Sequence, residues 1–372
     1  MIIMAVKKIG IFRELLSHPG ETLKEVLESN DMTQKELAMR INVTEKHITG
    51  IITGKNSISP EIAFSLSKVF SLSASFWNNL QSNYDAELKM IEEYEQITDD
   101  ERKIVREANY NALVKYGYIE KASNIDEKVV NMRSFWGVTK LNKIEKLYVP
   151  ETSPIAAFRK SATCNTNPYA MASWLKICEL ETDDISVDKY DLEKLKNQIP
   201  AIKSLMFHSD PNYIVKELED IFKKCGVAFA VVRNLHGAPV QGLIKKIDNK
   251  IRLCITLRWA HADIFWFTLL HEIGHLVNMP KDDWKIDYEK KSDCYGLSKS
   301  EEDADFFANE CLIPHNVYKN FVAEKDFSEL AILRFAKQQN ILPCILTGRL
   351  KHDGLLPYSH FNKFNIDYRW AN

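Results

Sequence analysis

The sequence predicts a multidomain protein: an all-α domain at the N-terminal end, a helical middle region and an α+β domain towards the C-terminal end. Three observations predict it. The 372 residues exceed one average domain, so two or three are expected. Residues 18–83 break into short helical patterns, each behind a turn or cap signal. From Gly226 the helical period gives way to short β-rich runs before a long helix resumes. Hydrophobic residues make up 45% and charged residues 27%, as in ordinary soluble globular proteins. The formal net charge of -2 excludes a chain that is basic throughout, so any nucleic-acid contact needs a local patch.

In chain order, residues 1–17 are an N-terminal arm. Its MIIMAVKKIG is mildly apolar but lacks the long apolar core and small-residue cleavage site of an export signal. No run approaches the roughly 18 apolar residues of a membrane helix. The seven cysteines are scattered without a CxxC pair, which argues against a disulfide framework or a cysteine zinc site. A cytoplasmic protein without a membrane partner is expected. Residues 18–83 then carry HPGETLKEVLESN, TQKELAMRI, TEKHITGIITG, SPEIAFSLSKVF and SASFWNNLQSNYD, five short helices. Thr33 with Glu36 forms a capping box, and Ser59 before Pro60 supplies a cap and a first-turn proline.

Residues 84–222 form a helical connector, dimerisation or sensing region, charged at first and then apolar around Met171, Trp174, Leu175 and Ile177. That stripe reads as core packing. Within residues 223–352, VAFAVVRN, QGLIKKI and IRLCITL are strands, with DNK as a hairpin turn between the last two. A helix over Asp263–Asn278, a polar loop and a second helix ending near Pro314 follow. Further helices lie near Ser328–Gln339 and Leu342–Leu350, and residues 353–372 are a tail.

The stretch TQKELAMRINVTEKHITGIITGKNSIS gives a helix, a tight turn at Ile41–Val43 and a second helix opening at Thr44. Leu37, Ala38, Val43, Ile48 and Ile51 have the spacing that packs two crossed helices. Thr44, Glu45, Lys46, His47 and Thr49 are left outward, so the second helix can enter a major groove with its first side chains at base edges. Gln34, Lys55 and Asn56 suit phosphate contacts, with Thr53 as a further one. A helical protein-interaction domain is the alternative. The stretch resembles the XRE/Cro-type helix-turn-helix, and more closely the HigA antitoxin branch. HPGETLKEVLESNDMTQKELA and SASFWNNLQSNYD are similar to that branch's opening and closing segments. The resemblance implies double-stranded operator DNA as a partner. Lys35, Arg40, Lys46 and Lys55 supply modest positive charge, so tight binding needs a homodimer on two half-sites.

A second constellation lies in FTLLHEIGHLVN. His271 and His275 stand at i and i+4, on one face of a helix. That spacing lets two imidazoles hold one zinc ion (Zn2+) at about 2 Å. Glu272 beside them suits proton removal from a water held there. The alternative is an amphipathic helix with two buried, hydrogen-bonded histidines. A catalytic zinc needs a third protein ligand, and Glu301 opens the next helix in SKSEEDADFFANE. Asp305, one turn on, is placed to orient a liganding histidine. Ala304 and Ala308 let that helix press on the first. Helix capping remains an alternative for Glu301, as for Glu302 and Asp303. His261, Arg258 and Tyr288 are candidate oxyanion stabilisers, each equally open to a structural role.

FTLLHEIGH and EEDADFFANECLIP, over about Gly226 to Pro314, resemble the ImmA/IrrE family of zinc metallopeptidases. The resemblance implies an α+β zincin-like metallopeptidase domain, with His271, His275 and Glu301 as zinc ligands and Glu272 as general base. IRLCITL is the strand expected to pair with an extended substrate. The fold class is then an all-α helix-turn-helix domain, a helical middle region and an α+β zincin-like metallopeptidase domain. The expected function is a transcriptional regulator whose zinc endopeptidase domain cleaves itself or a partner repressor. The alternatives are a HigA-like antitoxin that binds a cognate toxin, and a protease whose helix-turn-helix only recruits substrate.

Overall fold

The computed structural model describes residues 13–148, 167–247, 250–256, 261–278, 285–288 and 299–368. Its helices are α1 (Pro19–Ser29), α2 (Gln34–Arg40), α3 (Glu45–Ile52), α4 (Pro60–Val69), α5 (Ala74–Glu95), α6 (Asp99–Glu107), α7 (Tyr110–Lys115), α8 (Ile125–Trp136) and α9 (Ile144–Tyr148). After them come α10 (Pro168–Asp183), α11 (Leu192–Ser204) and α12 (Pro211–Lys224). The sheet follows as β1 (Val227–Val232), β2 (Val240–Ile247) and β3 (Lys250–Thr256), then α13 (Ala262–Asn278) and β4 (Lys285–Tyr288). The chain closes with α14 (Lys299–Leu312), α15 (His315–Glu324), α16 (Glu329–Gln339) and α17 (Pro343–His352). Two compact units result. One takes residues up to Arg102 with Ala122–Val130, and the other takes Lys103–Lys121 with Asn131 onward.

In the first unit the predicted caps Thr33 and Ser59 are used, and Thr44 and Ser73 cap their helices in the same way. Thr33, Thr44, Ser59 and Ser73 each accept from the backbone N–H three residues on, and Pro60 occupies the first turn of α4. The capping box at α2 is half-built. Thr33 accepts from the Glu36 N–H, but the Glu36 carboxylate accepts from Arg40, one turn further on. Asn42 turns the chain between α2 and α3 with φ of 55°, the left-handed region that asparagine tolerates best after glycine. Leu23, Leu37, Ile48, Ile51, Leu66 and Trp77 then meet in one core. Gly20 lets α1 cross α3, because a Cβ there would stand 2.0 Å from the Ile51 carbonyl oxygen. Helix α5 runs unbroken past residue 83 to Glu95.

The second unit is built on a four-stranded sheet of order β1-β3-β2-β4. β1 and β3 are parallel, and β2 is antiparallel to both β3 and β4. Alternation sorts the faces. Phe229, Leu253 and Ile244 lie in one row and join the core that contains α13 residues Leu269, Leu270 and Ile273. The opposite row, with Cys254 and Arg252, meets α10: Cys254 Sγ lies 3.9 Å from the Cys178 carbonyl oxygen, and Arg252 pairs with Asp183. Met171, Trp174, Leu175 and Ile177 are buried in that packing, as their pattern predicts.

Three features depart from the sequence expectations. The strand expected to pair with substrate, β3, is interior and hydrogen-bonded on both sides, so it has no free edge to offer. The edges of the described sheet are β1 and β4. β4 and α15 lie in stretches that gave no clear period, a four-residue run inside a polar loop and a short helix after Pro314. The segment after α17 packs back on α13, where Ala262 N–H donates to the Ile366 carbonyl and Trp266 Nε1 donates to the Tyr368 hydroxyl at 2.7 Å. The DN of the hairpin turn and most of the N-terminal arm lie outside the described residues.

Candidate metal centre and nucleic-acid interface

Helix α13 is buried along nearly its whole length, between the sheet and α14. Gly274 permits the close packing of α14: a Cβ there would lie 3.1 Å from Ala304 Cα and from Phe307 Cβ. The two helices thereby bring His271, His275 and Glu301 together, with their ligand atoms all within 4.8 Å of one another. His271 Nε2 and His275 Nε2 each stand 3.3 Å from one oxygen of the Glu301 carboxylate. Ligands at about 2 Å from a tetrahedral zinc stand roughly 3.3 Å apart, so these donors fit such an ion in number, chemistry and spacing.

The surroundings of the cluster suit that use. Nδ1 of His271 lies 2.8 Å from Asp305 Oδ1, the position of a partner that holds the proton on Nδ1 and leaves the Nε2 lone pair directed at the cluster. Burial by itself raises the Glu301 carboxyl. When the two imidazoles are protonated, their hydrogen bonds and charge outweigh it and hold the group well below the usual carboxylate range.

Glu272 is 1% exposed, and its carboxylate lies over Gly242 of β2, where a Cβ would come within 1.7 Å of Oε1. The β2–β4 pairing slips between Val240 and Gly242, placing a bulge at this approach. Sequence reasoning missed Gly242. The available signal was a glycine inside a strand pattern, which marks close backbone approach. His261 is engaged elsewhere, its Nδ1 lying 2.7 Å from Asp367 Oδ1. Arg258 and the side chain of Tyr288 lie outside the described residues.

In the first unit α3 presents Thr44, Glu45, Lys46 and Thr49 to solvent, with His47 half-buried. Thr53 and Lys55 are exposed beyond it, but the Thr53 hydroxyl donates to the Thr49 carbonyl at 2.8 Å. Gln34 is tied to α3, its Oε1 accepting from the Thr49 hydroxyl at 2.9 Å, so the start of α2 and the face of α3 form one surface. Asn56 is partly withdrawn. Its side chain covers Gly50, where a Cβ would meet Nδ2 at 2.2 Å, and this argues for packing over phosphate contact. Glu45 on the same face opposes DNA electrostatically and suits only a base-edge role.

Residues 23–77 match the helix-turn-helix family. The chain is 37% identical over 68 residues to the uncharacterized HTH-type transcriptional regulator YbaQ of Escherichia coli, covering 18% of this chain and 60% of that one. It is 38% identical over 69 residues to the virulence-associated protein A of Dichelobacter nodosus, covering 18% of this chain and 68% of that one. Among solved structures, the Pseudomonas aeruginosa antitoxin HigA with the higBA promoter is 34% identical, covering 23% of this chain and 97% of that one, with a TM-score of 0.19.

Proposed function

We propose that this chain, which belongs to the helix-turn-helix family through residues 23–77, is a DNA-binding transcriptional regulator whose second unit is a zinc-dependent endopeptidase. The DNA-binding part rests on the family and on the exposed start of α3, which offers Thr44, Lys46 and Thr49 to a major groove. The peptidase part rests on one observation, the convergence of His271, His275 and Glu301 beside a buried Glu272.

When bound, zinc supplies a Lewis acid that polarises a water and the scissile carbonyl. The chain's own residues do the rest. Asp305 fixes the orientation of His271. Glu272 takes the water proton and returns it to the leaving amine, a general acid–base role suited to a carboxylate shielded from solvent. Gly242 leaves the room that carboxylate needs. An extended peptide adds at β4, the sheet edge next to the strand that carries Gly242. The substrate is this chain or a partner repressor, so that cleavage relieves repression.

Metal content and peptidase activity, measured on the wild type and on Glu272→Gln, test this. The substitution keeps the three ligands and removes the base. About one zinc per chain in both proteins is expected, with cleavage of the chain itself or of a helix-turn-helix repressor by the wild type alone and a loss of at least about a hundredfold in the variant. Zinc and operator binding in both proteins with cleavage in neither would instead support a HigA-like antitoxin with a structural metal.

A further inference from the structure

From Ala262 to Leu276, helix α13 is buried at every position except Asp263, Ile264 and Phe267. All three line one cavity of 410 Å3, and so does His271. Ile264 and Phe267 precede His271 by seven and four residues, so they share its face of the helix. Across from them Asp305, Asn309 and Leu312 line the cavity from α14, at the same helical spacing from Glu301. The groove that brings His271, His275 and Glu301 together therefore runs on into this cavity, towards the start of α13. Ile345 and Gly348 of α17 close it, and Gln241, at the bulge of β2, reaches its edge.

The polar groups of the wall are mostly engaged within the chain. Arg349 Nη1 donates to the Ile313 carbonyl at 3.0 Å, and its guanidinium lies 3.8 Å from the centre of the Tyr318 ring. Asp353 accepts from the Tyr318 hydroxyl at 2.6 Å, and Asn309 Nδ2 donates to the Asp305 carbonyl at 2.8 Å. Asp263 accepts from the Ile264 N–H at the start of α13, and the charges of His261 and Lys351 act on it. What the wall leaves open is apolar surface on Ile264 and Phe267, in a helix that buries its other apolar side chains.

We propose that this cavity receives a large apolar side chain, that of leucine, methionine or phenylalanine, from a residue close to the bond to be cut. The proposal rests on the peptidase reading of the neighbouring cluster and gives it a substrate class. At roughly 30 Å3 per water-sized group the space holds on the order of ten such groups, enough for one of these side chains and too much for alanine. Ile264 and Phe267 supply the contact, and burial away from water supplies the preference.

Calorimetric titration of the full-length Glu272→Gln chain tests it, with zinc and again with a chelator. The probes are acetyl-Gly-Gly-X-Gly-Gly-amide peptides in which X is leucine, phenylalanine, alanine or lysine. Leucine or phenylalanine is expected to bind saturably and at least about tenfold more tightly than alanine, with the ranking kept in the chelator. Ile264→Trp, which fills the cavity, is expected to abolish that advantage. Ile264→Ala, which adds no bulk, is expected to reduce it about threefold and decides the matter if Ile264→Trp does not fold. Equal binding of leucine and alanine, tightest binding of lysine, or saturable binding by none of the peptides overturns the proposal. So does an advantage that neither substitution at Ile264 changes, which places the side chain elsewhere. A chain that holds no zinc but keeps the ranking sustains the pocket and removes the peptidase reading, whereas zinc binding with a flat ranking does the reverse.

Discussion

Single residues set the tolerances of the cluster formed by His271, His275 and Glu301. A Cβ at Gly274 would stand 3.1 Å from Ala304 Cα, and Gly242 yields its side-chain space to Glu272. Any side chain at position 242 therefore competes with the Glu272 carboxylate for space. Gly242→Ala is expected to keep the zinc content and the fold, because the atom it meets ends a flexible side chain, and to lower peptidase activity by about tenfold or more. Metal analysis beside a cleavage assay checks it, and full activity with an intact fold would remove Glu272 from the catalytic role. That His271 and His275 share one helix face beside Glu272 was legible in the sequence because an i, i+4 pair on a helix is a local relation. Glu301 was legible only as a candidate, since capping explains a carboxylate at a helix start equally well until α14 is seen to face α13. Gly242 was legible as an anomaly without a partner.

At the scale of elements, caps and turns were readable, and pairing was not. Thr33, Thr44, Ser59 and Ser73 cap their helices because the signal is contained within three residues. The apolar run of β3 showed a strand buried on both faces, yet its place between β1 and β2 depends on residues 20 or so apart along the chain, and this took the substrate-pairing role from it. Helix α3 makes a sharper prediction. Lys46 at its exposed start and Lys55 beyond its end meet the duplex differently if α3 enters the groove. Lys55→Ala is expected to weaken binding evenly across sequences and to reduce the salt slope by about 1, whereas Thr49→Ala costs about 1–3 kcal/mol and relaxes discrimination at one position. Binding isotherms at several salt concentrations on matched and mismatched operators check both. Equal effects on all sequences for Thr49→Ala would move base recognition off this helix.

On the scale of the whole molecule, each compact unit has its own buried core, one around Leu37, Ile48 and Trp77 and the other around Phe229, Leu253 and Leu269. Separate cores predict separate melting, and a metal ion, if His271, His275 and Glu301 hold one, is expected to stabilise only the second. Calorimetry with and without a chelator is expected to lower one transition by roughly 5–10 °C and leave the other in place. A single transition, or a shift in the first unit's melting, would show that the units do not unfold independently. The sequence by itself determined the helices with their caps, the motif on α13 and the helix-turn-helix, because each is written in residues within a few turns of one another. Only the tertiary structure decided which strand is interior, that Glu301 and Asp305 meet His271, that Gly242 shelters Glu272, and that a cavity lies beside His271. Those relations join positions about 20 residues or more apart, and packing rather than local periodicity selects them.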